Sequence, residues 1–368
     1  MNDWRIPRRV TISDVAKRVG RTKSTVSRAI NGYPDISPRT REHIVRVANE
    51  LGYTPLSQAQ SIRTGRVRSL GFVLQTHDHD AHRPFLAGFL AGISRAANAR
   101  GWDLTVASAD SDQSTLEVLR RLVMERKADG FILPRPLKDD PRIKLLRTEG
   151  IPFVLFGRPA DQADCSWYDI LGEQAMKDAV VRLHGMSHRR IGFVNGGERY
   201  SYSSYRLQGY LDGLAQCRMK QDANLIVGDA VTTEEGRRAA MTLLGLDRPP
   251  TAIVYAIDMA ALGLYQAADQ LGLKVGRDVS VISYDGIPEG SFARPALTTF
   301  EVDRGRAGER LATQLVKRIC GAPPDAQREC EAAVLVRRGS DHPPIRTSEE
   351  LAALLREAAQ QQSSIHRS

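Results

Sequence analysis

Residues 10–55 read VTISDVAKRVGRTKSTVSRAINGYPDISPRTREHIVRVANELGYTP, and this stretch decides the fold of the N-terminal part of the chain. Thr11, with an acidic residue three positions later, predicts the start of a helix that Gly20 ends. Thr22 then predicts the N-cap of a second helix, and Ser37, followed by proline, begins a third. Two short helices joined by a tight glycine turn, with a third as a brace, make a helix-turn-helix.

The second predicted helix has an outer face suited to reading DNA. Arg28 can donate two hydrogen bonds to a guanine, and Lys23 and Ser24 lie near the helix N-terminus, where side chains reach base edges. Four short polar residues are suited to phosphate oxygens: Thr22, Thr25, Ser27 and Asn31. The alternative is a three-helix bundle with a polar outer face and no nucleic-acid partner.

Charge is distributed unevenly along the 368 residues. Residues 1–68 hold 14 basic and five acidic side chains, whereas the remaining 300 residues hold 38 of each kind. The net charge of +9 therefore lies entirely in the N-terminal segment. Such a localised excess favours a polyanion, above all a nucleic acid, as the partner of that segment, and so favours the helix-turn-helix over the plain bundle.

The 10–55 stretch resembles the DNA-binding headpiece of the lac repressor (LacI/GalR) family at nearly every position of that signature. The resemblance implies a sequence-specific transcriptional regulator, most often a repressor, whose base-reading residues contact pseudo-palindromic DNA as a homodimer. It also implies that residues 56–65, LSQAQSIRTG, form a hinge helix that folds on operator DNA. The residue that would wedge into the minor groove is Ile62, where the family usually has leucine.

From residue 69 the pattern changes to short β-rich runs separated by amphipathic stretches of helical length. Eight runs occur: LGFVL, DLTVAS, GFILP, PFVLF, RIGFVN, NLIVGD, AIVYA and VSVISYD. This alternation is typical of parallel, doubly wound α/β sheets and predicts two lobes, with a crossover near PFVLFGR. The region resembles the effector domain of the same family, which has the fold of periplasmic sugar-binding proteins.

These patterns predict an all-α headpiece followed by a two-lobed α/β domain. The expected segments are the helix-turn-helix headpiece (1–55), a hinge (56–68), an effector-binding and dimerisation domain (69–342) and a C-terminal tail (343–368). In the tail, Ser348 is expected to cap a helix. Its apolar stripe, suited to local packing or to tetramerisation, is Leu351, Leu354, Leu355 and Ala358.

Ligands of open α/β sheets lie beyond the carboxyl ends of the strands. Asp285 closes VSVISYD and Arg206 begins RLQGY, and both match family positions that hold the effector, although a structural salt bridge is the alternative for Arg206. Four further effector-binding candidates are Phe85, Asp169, Arg199 and Tyr200. Asp258 is expected to cap a helix, and both Phe85 and Trp167 belong either to the core or to the cleft.

A sugar is the expected effector. A carboxylate facing a guanidinium, with an aromatic ring nearby, suits the hydroxyls and the C–H face of a sugar. An anionic ligand would instead call for clustered basic residues. The runs FLAGFLAGI, FVLFGR and HRRIGFVNG also resemble those of sugar-responsive members of the family.

Residues 77–82 read HDHDAH and raise the alternative of a metal-dependent hydrolase or sugar-processing enzyme fused to a headpiece. Histidine and aspartate are good zinc ligands, and the run comes close to the HxHxDH signature of the metallo-β-lactamase superfamily. However, Asp80 is one residue early and Ala81 stands in its place. We therefore expect a polar loop beside the cleft, without a metal, a cofactor or a catalytic residue.

Several features of composition point to the cytoplasm. No apolar run approaches the roughly 20 residues of a membrane span, and the N-terminus lacks the apolar core of a secretory signal. The four cysteines show no CxxC pairing, which is typical of reduced thiols: Cys165, Cys217, Cys320 and Cys330.

Overall fold

The computed structural model describes residues 10–53, 65–75 and 84–365, except the side chains of residues 84–85, 358–359 and 361–365. The chain divides into two compact units, Met1–Val67 and Arg68–Ser368. In the part of the chain that is described, no helix is long and apolar enough to cross a membrane.

The first unit is the predicted helix-turn-helix. Its helices are α1 (Ile12–Val19), α2 (Lys23–Ile30) and α3 (Pro38–Glu50). One residue from each helix is completely buried in the core between them: Val15, Val26 and Ile44. The apolar positions that the 3.6-residue period places on one face of each helix therefore meet in a single small core.

Local capping sets the bounds of these helices. The Thr11 backbone N–H and hydroxyl both donate to the Asp14 carboxylate, at 2.8 and 2.7 Å. Gly20 ends α1 with φ +65°, a left-handed conformation that glycine adopts without strain. Thr22 accepts a hydrogen bond from the Thr25 backbone N–H at 3.2 Å and is the N-cap of α2. Helix α2 therefore begins at Lys23, only three residues after Gly20. The predicted helix starts and the tight turn are thus confirmed.

The second unit alternates strands and helices. In chain order it runs β1 (Ser69–Gln75), α4 (Pro84–Asn98), β2 (Asp103–Ala109), α5 (Asp112–Met124), β3 (Gly130–Pro134), α6 (Pro141–Thr148), β4 (Phe153–Phe156), β5 (Trp167–Ile170), α7 (Gly172–Gly185), β6 (Ile191–Val194), α8 (Ser201–Gln216), β7 (Ile226–Val227), α9 (Thr233–Leu244), β8 (Ala252–Tyr255), α10 (Asp258–Gln270), β9 (Ser280–Asp285), α11 (Pro288–Phe292), β10 (Thr298–Glu301), α12 (Arg304–Ile319), β11 (Arg328–Glu331), β12 (Val334–Val336) and α13 (Ser348–Ile365).

The strands form two six-stranded sheets, one in each lobe. The first sheet has the order β2-β1-β3-β4-β5-β11, and all of its pairs are parallel. The second has the order β7-β6-β8-β9-β10-β12 and is parallel except where β12 runs antiparallel to β10. All eight predicted strands are present. The four that were not predicted are short, and β11 reads RECE, so that no β-rich run marks it.

The predicted crossover at PFVLFGR is wrong. That run is β4, which pairs with β3 and β5 inside the first sheet. The chain instead passes to the second lobe after β5, returns after β10, and passes again between β11 and β12. Sheet membership depends on which strands pair across long sequence separations, and the local apolar pattern is the same on either side of a crossover.

The return of α12 to the first lobe depends on close helix packing. A Cβ atom at Gly92 of α4 would collide with the Gly305 carbonyl oxygen of α12, and one at Gly308 would collide with the Phe89 carbonyl oxygen. Glycine therefore lets the two backbones touch, and α12 covers the same face of the sheet as α4.

The C-terminal helix α13 packs on the second lobe. Leu351 is completely buried there, and Leu354 and Leu355 are partly buried against the same core cluster. The expected N-cap at Ser348 is wrong, because Thr347 and Glu350 form a capping box one residue earlier, with hydrogen bonds of 2.8 and 3.2 Å. The three leucines of the predicted stripe therefore pack within the same chain. The Ala358 side chain lies outside the described residues.

Candidate DNA-binding surface and effector cleft

The outer face of α2 carries the predicted base-reading residues. Lys23, Ser24 and Arg28 are exposed, whereas Val26 and Ala29 on the opposite face are buried in the core. The fold therefore brings the three side chains to one surface, as the sequence predicted. Their contacts with bases remain a prediction.

The predicted phosphate-contacting residues have local roles in the helix. The Thr22 and Thr25 hydroxyls lie 2.9 Å apart at the start of α2. At its end, the Asn31 side-chain amide donates to the Ser27 carbonyl oxygen at 2.7 Å. These bonds fix the four polar side chains at the two ends of α2, and their contacts with phosphates remain a prediction. Ile62, the predicted minor-groove wedge, lies outside the described residues.

Arg28 has partners within the headpiece. Its guanidinium Nη2 lies 2.6 Å from the Asp35 carboxylate, and its guanidinium carbon lies 5.2 Å from the centroid of the Tyr33 ring. Both partners belong to the turn between α2 and α3. The sequence does not predict the pairing of Asp35 with Arg28, because nothing in the local pattern shows that this turn folds back toward α2.

Three of the predicted effector residues line one cavity between the lobes. Asp169 on β5, Arg206 on α8 and Asp285 at the end of β9 surround a space of about 180 Å³. Aromatic side chains form much of the remaining wall: Phe156, Tyr202, Tyr205 and Tyr284. The cavity lies at the carboxyl ends of the strands, where open α/β sheets bind ligands.

Arg206 is held between two aromatic rings. Its guanidinium carbon is 4.1 Å from the centroid of the Tyr284 ring and 4.5 Å from that of Tyr202. Its Nη1 donates to the Ala256 carbonyl oxygen at 2.6 Å, and its buried Nε has no hydrogen-bond partner among the described residues. Arg206 forms no salt bridge with any of the described residues, so its alternative role in a structural ion pair is not observed there. A buried donor without a partner is costly, so a ligand acceptor would stabilise it.

Asp169 belongs to a charged network that the sequence analysis did not predict. Arg158 donates to the Asp169 carboxylate at 2.6 Å and to Glu173 at 2.5 Å, and it stacks on the Tyr205 ring at 4.1 Å. Burial raises the pKa of Asp169, although the Arg158 guanidinium acts against that shift. Glu173 Oε2 is buried without a partner among the residues described. Arg158 directly follows a strand run, a signal that could have identified it.

Asp285 is placed by an unusual backbone conformation. Its φ is +126°, and its carbonyl oxygen accepts a hydrogen bond from Arg304 at 2.7 Å. A non-glycine residue in such a region costs about 1–3 kcal/mol, and such strain concentrates at functional sites. The sequence indicated Asp285 from its position at a strand end, but it could not indicate the strain.

The expected N-cap role of Asp258 is wrong. Ile257 is the N-cap of α10, and Asp258 is completely buried in the first turn. Its carboxylate accepts hydrogen bonds from the Ile287 backbone N–H at 2.9 Å and from the Thr299 hydroxyl at 2.7 Å. Burial and the nearby Asp285 carboxylate raise its pKa to about 6. Asp258 therefore supports the loop after β9 from behind the cavity.

Arg199 and Tyr200 do not line the cavity of the other three residues. They line a neighbouring space of about 260 Å³, and Arg135 lies in the wall of both spaces. Arg199 forms an ion pair with Asp112 of the other lobe. The backbone beside it also bridges the lobes, with Lys138 N–H donating to the Arg199 carbonyl oxygen at 3.0 Å. This pairing gives Arg199 an interlobe role that the sequence did not reveal.

The remaining candidates divide between the core and the residues that are not described. Trp167 is 9% exposed and belongs to the core of the first lobe. The Phe85 side chain and the HDHDAH run lie outside the described residues. Among the residues described, no group of three or more His, Cys, Asp or Glu side chains could hold a metal ion. His188 is buried and bonded to the Thr251 hydroxyl and the His342 carbonyl oxygen, at 2.8 and 2.9 Å.

The charges that line the cavity balance one another. Three arginines and three carboxylates face it: Arg135, Arg158, Arg206, Asp169, Glu173 and Asp285. Two buried polar atoms of lining residues have no hydrogen-bond partner among the residues described: the donor Arg206 Nε and the acceptor Glu173 Oε2. This arrangement suits a neutral ligand that can both donate and accept hydrogen bonds.

Comparisons with known proteins agree with this architecture. Residues 68–340 match the model for periplasmic binding proteins and the sugar binding domain of the LacI family, and residues 11–56 match that for bacterial regulatory proteins of the lacI family. The chain is 32% identical over 344 residues to the HTH-type transcriptional regulator AglR of Rhizobium meliloti, covering 91% of this chain and 95% of that one.

Solved structures give the same result. A complex of the transcriptional regulator CelR with cellobiose is 30% identical, with a TM-score of 0.70 over 90% of this chain and all of that one. The lac repressor dimer bound to operator is 24% identical, with a TM-score of 0.75 over 91% of this chain and all of that one, and shows the shared fold.

Both the family resemblance and the fold class predicted from the sequence are confirmed. The relatives are named as transcriptional regulators, which does not support the alternative of a metal-dependent hydrolase or sugar-processing enzyme. Two family models together span almost the whole described chain. The chain therefore belongs to the LacI family of bacterial transcriptional regulators.

Proposed function

We propose that the chain is a homodimeric repressor of the cytoplasm whose operator affinity is controlled by a neutral sugar bound between its lobes. Helix α2 of each copy would enter the major groove at one half-site of a pseudo-palindromic operator. In this proposal residues 1–55 bind DNA, residues 56–68 form the hinge, residues 69–342 bind the effector and dimerise, and residues 343–368 are a tail that packs on the second lobe.

The exposed face of α2 supports the DNA-binding half of the proposal. Lys23, Ser24 and Arg28 would read base edges, and the polar residues along the helix edge would contact phosphates. The excess of positive charge in residues 1–68 would supply the salt-dependent part of the affinity. Ile62 would wedge into the minor groove at the centre of the operator.

The balanced cavity is the observation that carries the effector half. A phosphorylated ligand would bring negative charge without excess positive charge to meet it, because the three arginines of the space are offset by three carboxylates. A sugar has hydroxyls for Asp285, Arg206 Nε and Glu173 Oε2, and it has C–H faces for the aromatic wall. The cellobiose complex of CelR supports a sugar for this chain as well.

Sugar binding between the lobes would change operator affinity through the first lobe, which directly follows the hinge in the chain. A sugar that contacts both lobes favours one lobe arrangement, and therefore one spacing of the two hinges in the dimer. We expect a coupling on the order of 1–3 kcal/mol that is reciprocal, so that operator DNA changes sugar affinity by the same factor.

The test is titration calorimetry with neutral mono- and disaccharides, with and without a duplex that the protein itself selects from a random pool. Asp285→Asn should lose the sugar response and keep DNA binding, because asparagine has the size and shape of aspartate and removes only the charge of the carboxylate. Asp325→Asn is the matched control, since that side chain is 77% exposed and lies outside the cavity. A response only to phosphorylated or purine ligands would contradict the sugar assignment, and a full sugar response in Asp285→Asn would contradict the role of Asp285.

A further inference from the structure

The ion pair between Arg28 and Asp35 places a carboxylate beside the proposed base reader. The two side chains are 47% and 46% exposed, so they meet at the surface from which DNA would be read. The turn that carries Asp35 is held in place, because Arg41 donates to the Tyr33 carbonyl oxygen at 2.6 Å. The Tyr33 ring also contacts the guanidinium.

We propose that Asp35 limits the operator affinity of the headpiece, because it holds Arg28 in an internal ion pair that a correctly placed guanine displaces and other bases do not. The proposal rests on the base-reading role proposed above for Arg28. It assigns Asp35 a part in operator affinity that does not require Asp35 to contact DNA.

The relative strengths of the competing contacts support this role. A surface ion pair changes an equilibrium by only about twofold to fivefold. A bidentate arginine–guanine contact discriminates between bases by about fivefold to 150-fold. A guanine therefore outcompetes Asp35, whereas a base that offers a single weak acceptor does not.

The carboxylate of Asp35 weakens both kinds of complex, but not equally. Its negative charge repels phosphates and lowers affinity for DNA of any sequence. When guanine takes Arg28, the ion pair is lost as well, a cost that complexes in which Arg28 stays paired do not bear. The net effect is to weaken specific complexes more than non-specific ones, which limits operator affinity.

The experiment compares five full-length proteins: wild type, Asp35→Asn, Asp35→Glu, Arg28→Ala and the Arg28→Ala/Asp35→Asn double variant. Each is titrated with the duplex that wild type selects from a random pool, and with a scrambled duplex of equal length. A sixth protein, Glu50→Gln, is the matched control. It removes a headpiece carboxylate that lies 3.9 Å from Arg46 on α3, and so frees an arginine without touching Arg28.

Asp35→Asn should tighten binding to the selected duplex about twofold to fivefold more than binding to the scrambled one. Its specificity ratio should rise by that factor, while Glu50→Gln keeps the wild-type ratio. Asp35→Glu should stay close to wild type, because it retains the carboxylate. In the Arg28→Ala background, Asp35→Asn should change the ratio no more than Glu50→Gln does.

Three results would overturn the proposal. Equal effects of Asp35→Asn on both duplexes would show that Asp35 contributes only net charge. Weaker binding of the selected duplex by Asp35→Asn would show that Asp35 positions Arg28 or contacts a base itself. If Arg28→Ala lost affinity equally for both duplexes, base reading by Arg28 would fail and the present proposal with it. If wild type selected no duplex, the proposed repressor function itself would fail.

Discussion

Replacing Arg206 by lysine would test the proposed cleft while keeping its charge balance. Lysine retains one positive charge, but it lacks the planar guanidinium that lies between the Tyr202 and Tyr284 rings. An ammonium can take the place of Nη1 near the Ala256 carbonyl oxygen. It cannot at the same time supply the donor that Nε would give to the sugar in the proposed complex.

The expected losses follow from these contacts. An arginine–ring contact at a partly buried site contributes about 0.5–2 kcal/mol, and lysine can keep at most one of the two. Unfolding of the effector domain should therefore require about 0.5–2 kcal/mol less free energy. A hydrogen bond from a charged donor to the sugar contributes about 1.5–3 kcal/mol, so sugar affinity should fall by about tenfold to 150-fold.

Calorimetric titration with a sugar that binds the wild-type protein measures the second loss, and denaturant unfolding without sugar measures the first. Arg310→Lys is the control, because Arg310 pairs with Glu329 at 2.7 Å at an exposed edge of the first lobe. It should change both quantities by no more than a few tenths of a kcal/mol. Sugar affinity of Arg206→Lys within twofold of wild type would refute the role of Nε as a ligand donor.

Three further outcomes are expected. Arg199→Ala breaks the interlobe pair with Asp112 and should speed both association and dissociation of the sugar in stopped-flow measurements; unchanged rates would exclude a gating role. Burial and Asp285 raise the pKa of Asp258 from 3.8 to about 6, so the folded state binds that proton more tightly and stability falls as the pH rises between those values. In Asp258→Asn, the free energy of unfolding measured with denaturant should decline less over this pH range, by up to about 3 kcal/mol. The same pH profile in the variant and in wild type would contradict this account of Asp258. Elemental analysis should find no stoichiometric zinc; one or two metals per chain, lost on triple replacement by alanine of His77, His79 and His82, would revive the enzyme alternative.

The parts of the fold that could be predicted are those set by neighbouring residues. Thr11, Gly20 and Thr22 fix the bounds of α1 and α2 through hydrogen bonds and backbone angles within a few positions. The eight β-rich runs became strands because β-branched and aromatic residues favour extended backbone wherever the strand is paired. At α13 the prediction missed by one residue, because Thr347 and Ser348 are both good caps and only the bonds to Glu350 decide between them.

The candidate site was predicted where it depends on strand ends. Asp169 and Asp285 lie at or near the carboxyl ends of parallel strands, which meet at one edge of a sheet whatever the order of the strands. The sequence did not separate Arg199 and Tyr200 from this cavity, because they follow a strand of the same sheet as Asp285. Their position depends on the approach of the other lobe, where Asp112 provides the partner.

The sequence by itself determined the helix-turn-helix, the placement of positive charge, the alternating α/β pattern and the family. All of these depend on contacts or composition within short stretches. Only the tertiary structure decided where the chain crosses between lobes, that Arg158 joins Asp169 to Glu173, and that Asp35 holds Arg28. Strand order and ion pairing select among many partners of equal local preference, and the choice depends on which surfaces the whole chain brings within a few ångströms.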